Sequence, residues 1–196
     1  MDFESNRLFS TVRKYVNVSW GFAVVGMPIM ALLFLLTTFV PGILPVPTRL
    51  TADLMFYGSN MTLTLPAGAV EPDVVLKLPS MLYGLAVVEA PVILIGTYQL
   101  KKILENVAKK TPFIIENANR MRIVGLAIIG GAALTMVREF ALGIYLMDRV
   151  HVPGFAVGTR PDLGQIGMIV VGLIVLLLAE VFRYGIALQE EHDLTV

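Results

Sequence analysis

The sequence contains no cysteine, which excludes disulfides, thiolate nucleophiles, iron–sulfur clusters and thiolate zinc sites. Histidine is nearly as scarce, with only His151 and His192 present. Neither lies in an apolar run, so a bis-histidine haem inside a helical bundle is excluded as well. Charge is thin and balanced: 15 Lys and Arg face 15 Asp and Glu, and charged residues reach only 15% of the chain. A soluble domain carries about 25%. A net charge of zero argues against direct nucleic-acid binding through phosphate contacts. Histidine–carboxylate–serine sets, HExxH and glycine-rich phosphate loops are also missing. No enzyme, metal site or cofactor is therefore expected, and only a catalyst built from carboxylates and arginine stays open.

What is abundant is apolar sequence, 56% of the 196 residues. It is gathered into four runs, at about 18–40, 78–100, 123–147 and 165–187. Each matches the roughly 20 residues that cross the hydrocarbon core of a bilayer. The expected fold is an all-α membrane protein, a single domain made of a four-transmembrane-helix bundle in contact with lipid. The first run is too long for the core of a secretion signal and no small-x-small cleavage site follows it, so it reads as an uncleaved helix.

The segments between the runs differ in character. Phe9, Val12 and Val16 fall at helical spacing around Arg13 and Lys14, an amphipathic lead-in suited to the membrane surface. In the loop 41–77, Met61 to Leu65 alternates with period two and Gly58-Ser59-Asn60 signals a turn. Val74-Val75-Leu76 is another β-prone run, so a small extracytoplasmic β-rich loop is expected between the first two helices. The connection 101–122 is basic, and Thr111-Pro112 has the character of a helix cap followed by a first-turn proline. A second outer loop covers 148–164.

Orientation follows from the basic residues of the short flanks. Arg7, Arg13, Lys14, Lys101, Lys102, Lys109, Lys110, Arg120, Arg122 and Arg183 fall on the side shared by both termini. Only Arg49, Lys77, Arg149 and Arg160 fall on the other. Both termini are expected in the cytoplasm, with 101–122 as the cytoplasmic loop.

Ionisable groups within the runs need a reason, because such groups are expensive in lipid and usually face the bundle interior in pairs. Glu89 and Arg138 lie at similar depth, roughly 16 and 14 Å below the outer ends of their helices at about 1.5 Å rise per residue. Opposite sign at matched depth points to an intramembrane charge pair, structural or part of an ion path. Glu139 points about 100° away from Arg138 around the helix and needs a partner of its own or a water-filled pocket. Glu180 and Arg183 stand at the three-residue spacing of a same-face pair. Pro91 deprives the Val87 carbonyl of its helical donor. Ala127, Gly131 and Thr135 form a small-residue stripe permitting close helix contact, within the bundle or across a homo-oligomer.

Two stretches carry a resemblance. One is Thr111-Pro112-Phe113-Ile114-Ile115-Glu116-Asn117 followed by Arg120-Met121-Arg122-Ile123-Val124-Gly125. The other is Leu178-Ala179-Glu180-Val181-Phe182-Arg183-Tyr184-Gly185, continued by Leu188, Glu190-Glu191 and Asp193-Leu194-Thr195-Val196. Both resemble signatures of the bacterial membrane family catalogued as domain of unknown function 2975. The resemblance implies four membrane helices with cytoplasmic ends in the bacterial inner membrane. More loosely, it implies association with small helix-turn-helix regulators encoded nearby. Both motifs fall on the cytoplasmic side, making Lys101, Lys102, Lys109, Lys110, Glu116, Asn117, Arg120 and Arg122 candidates for docking a cytosolic partner. The expected role is a non-enzymatic protein that modulates or sequesters such a regulator. The rival is a small oligomeric transporter or channel using Glu89 and Arg138.

Overall fold

The computed structural model describes residues 7–43, 51–56, 59–64, 72–147, 149 and 163–193. Chain order is α1 (Arg7–Phe39), β1 (Thr51–Phe56), β2 (Ser59–Thr64), α2 (Pro72–Ala108), α3 (Ile115–Met147) and α4 (Leu163–Asp193). Among the described residues, all four helices are long and apolar enough to cross a membrane. Large apolar side chains such as Phe22, Leu126 and Leu177 face outward along them, as a lipid-facing surface allows.

The helices outrun the apolar stretches that announce them. The lead-in is not a separate surface helix: nothing between Val16 and Val18 breaks the backbone pattern, and α1 runs unbroken from Arg7 through Pro28 to Phe39. It stops in the turn at Pro41-Gly42, where Gly42 takes a φ of 84°. Val74-Val75-Leu76 is helical rather than extended. Pro72 suits a first helical position, and Asp73 lies in the first turn of α2, where a carboxylate is favoured. Lys77 reaches Asp73 at 3.4 Å one turn later. This start overrides the β-propensity of the two valines.

β1 and β2 pair antiparallel, from Thr51↔Thr64 to Phe56↔Ser59. The remainder of the expected β-rich loop, at 44–50, 57–58 and 65–71, lies outside the described residues, as do 148 and 150–162 of the second loop.

The chain divides into two compact units. The first comprises Met1–Pro28, Val88–Met136 and Asp162–Val196 and so holds part of α1, α2 and α3 and the whole of α4. Its buried residues are mostly small: Ala118, Ala132 and Ala179, with Val16, Ile186 and Asn117. Small side chains let helix backbones approach closely, the packing available where lipid removes the hydrophobic drive. The second unit comprises Ile29–Val87 and Val137–Pro161. In it Phe34 of α1 lies against Gly84 of α2, where an added Cβ would be 2.8 Å from the ring. Val74 is fully buried there.

Candidate functional site

The α2–α3 corner is built by hydrogen bonds that end one helix and start the next. Thr111 N–H donates to the Asn106 carbonyl and Lys110 N–H to that of Val107, each at 3.0 Å. This is the Schellman arrangement, with Lys110 at the left-handed position, φ 62°. Glycine is usual there because a Cβ is disfavoured. The Thr111 hydroxyl also donates to the Asn106 carbonyl, at 3.2 Å. Thr111 thus closes α2 and does not cap α3, which begins at Ile115.

Asn117 ties the corner together from within. It is 3% exposed and accepts from Asn106 Nδ2 at 2.8 Å. Its own amide donates to the Pro112 carbonyl at 2.9 Å and, less closely, to that of Thr111 at 3.4 Å. The Arg120 guanidinium donates to Gln99 Oε1 of α2 at 3.1 Å. Lys102 is engaged along its own helix, 2.8 Å from Glu105. Lys109, Lys110 and Glu116 face outward.

The α4 motif meets α3 through a shared carboxylate. Glu180 is 3.2 Å from Arg122 across the helices and 3.0 Å from Arg183 on its own helix. All three side chains stay about half exposed. Phe182 stacks on Phe113 of the corner with centroids 5.7 Å apart. The structure thus brings the two family-like stretches into contact through Arg122, Glu180, Phe113 and Phe182. The ionic members stand out in the sequence by their charge, and Phe113 and Phe182 by their place in the family-like stretches, whereas Asn106 carries no sequence signal beyond its position near a helix end.

Elsewhere in this unit is a cavity of about 380 Å³ whose lining includes Glu89, Gly96, Ala127, Gly131, Thr135 and Gln165. Glu89 Oε1 is shielded from the surface. The small-residue stripe read from sequence thus lines a cavity, and at its edge a Cβ on Gly96 would lie 3.2 Å from that of Ala127. Glu89 belongs to the first unit, while Arg138 and Glu139 belong to the second.

Four helices of membrane-crossing length and composition, lipid-ready outer faces and a polar cluster near their ends define a multipass all-α membrane protein. The family model described as "Protein of unknown function (DUF2975)" matches residues 65–196. The chain belongs to that family. No curated protein and no solved structure matches it.

Proposed function

We propose that this chain is a non-enzymatic protein of the bacterial cytoplasmic membrane that modulates or sequesters a cytosolic partner, such as a small helix-turn-helix transcription regulator. In this reading both termini and 101–122 are cytoplasmic, as the basic residues favour. The loops 41–77, β-rich in part, and 148–164 are then extracytoplasmic. The supporting observation is Lys110: it takes a left-handed backbone conformation that favours glycine, beside outward-facing Lys109 and Glu116. Backbone strain of this kind clusters at functional sites. Asn106, Asn117 and Arg120 hold the corner from inside, and a rigid surface loses less entropy when a partner docks.

The test is co-purification with a helix-turn-helix regulator encoded beside the gene. Lys109→Glu combined with Lys110→Glu should weaken capture while the protein stays folded. Unchanged capture by the double variant would count against this surface. The rival reading, a small oligomeric transporter or channel acting through Glu89 and Arg138, draws support from the cavity on Glu89.

A further inference from the structure

Arg13 and Asn17 stand one turn apart on α1, and Lys101, Leu104 and Glu105 share a face of α2. Together they line a pocket of about 210 Å³ within the first unit. The Glu105 carboxylate accepts a hydrogen bond from Lys102, which is not among the lining residues, at 2.8 Å. Arg13 and Lys101 bring two positive charges to a lining that holds one carboxylate, and Asn17 adds an amide donor. A guanidinium fork and an ammonium beside an amide recognise a phosphate.

The surroundings fix the pocket's depth. Three residues beyond Asn17, the Trp20 ring meets Tyr98 of α2 with centroids 5.4 Å apart. Lys101 Nζ lies 5.8 Å over the Trp20 ring. Trp and Tyr gather at the level of lipid headgroups. Arg13 precedes the first apolar run and Lys101 follows the second, so both stand at that same level. Basic pockets between helix ends take anionic headgroups.

We propose that this pocket binds a phosphate group, supplied by the headgroup of an anionic phospholipid. The site is independent of partner docking. Trp20 is the only tryptophan of the chain and serves as the reporter. Full-length protein in a non-ionic detergent is titrated with phosphatidylglycerol, phosphatidylcholine or inorganic phosphate while Trp20 emission is followed. Native mass spectrometry of the same samples counts retained lipid if the emission change is small.

Phosphatidylglycerol should give a saturable response that phosphatidylcholine does not. Arg13→Gln and Lys101→Gln should each raise the midpoint by about fivefold, the effect of one basic side chain at a charged surface. Lys14→Gln removes the same charge at the same depth from another face of α1 and should leave the midpoint in place. Equal response to both lipids, or equal loss from Lys14→Gln and Arg13→Gln, would reduce the effect to general surface charge and overturn the site. Saturation by inorganic phosphate at the same concentrations would overturn the lipid as source.

Discussion

Gly125 of α3 and Gly172 of α4 pack backbone against backbone. A Cβ placed on either would sit 3.0 Å from the carbonyl oxygen of the other. The same Cβ on Gly125 would meet Leu176 at 2.9 Å, and that on Gly172 would meet Ile129 at 2.5 Å. Gly125 ends the first family-like stretch, and Gly172 stands six residues before the second. Their contact brings α3 and α4 together on the same unit where Arg122 reaches Glu180.

Substituting Gly172 by Ala should therefore destabilise the protein by about 1–3 kcal/mol, the range for overpacking a tight contact. The β-branched Ile129 is stiff at χ1, and the facing backbone carbonyl has little room to move. Gly130→Ala is the control, because a Cβ there meets nothing within 4 Å. Thermal unfolding in detergent should show a lowered midpoint for Gly172→Ala and an unchanged or raised one for Gly130→Ala. Equal midpoints would mean that the two glycines do not meet in the folded protein.

The membrane helices were legible because apolar runs of this length have few alternatives, and Glu180 with Arg183 followed from helical spacing alone. The glycine contact was not. Gly125 has Met121 and Ile129 at its four-residue steps, so no small-residue stripe marks its face of α3, and only the register of α4 decides which face packs. Ala127, Gly131 and Thr135 form the regular stripe, yet they line the cavity, while Gly125 makes the close approach. Val74-Val75-Leu76 misleads for another reason: β-propensity reflects a pleated, half-buried environment, and Pro72-Asp73 supplies a helix start instead. Thr111-Pro112 fits a cap by composition, but the Thr111 hydroxyl and N–H both turn back to the Asn106 carbonyl.

Asn117 should be the most sensitive polar position of the corner. Asn117→Ala leaves the Pro112 carbonyl and the Asn106 amide without their partner in a buried place, a loss of about 1–3 kcal/mol. Asn117→Asp should be no better, since it keeps the acceptor for Asn106 but turns a carboxylate towards two carbonyl oxygens. A double-mutant cycle with Asn106→Ala should give losses smaller than their sum. Additive losses would show that the side chains act separately.

Lys110 separates stability from function. Lys110→Gly removes the penalty of a left-handed lysine and should stabilise the fold by about 1 kcal/mol, while Lys110→Val should destabilise it. If Lys110 is held there for docking, Lys110→Gly also weakens capture of a regulator. A raised melting temperature together with undiminished capture would remove the functional reason for the strain.

Glu89 distinguishes the two readings of function. Its carboxylate lines the cavity, with Oε1 shielded, and Glu89→Gln removes the charge with little change of shape. Intramembrane carboxylates often mark ion or substrate paths, so a transporter should lose flux in reconstituted vesicles on this change alone. A docking protein should keep full capture with Glu89→Gln and lose it with Lys109→Glu and Lys110→Glu. A second variant checks the cavity without touching charge. Gly131→Ala adds a Cβ at 3.9 Å from Val92 Cγ1, an ordinary contact, whereas Gly131→Leu fills part of the space. Loss of capture with either Glu89→Gln or Gly131→Leu, with the fold intact, would move the functional centre from the corner to the cavity.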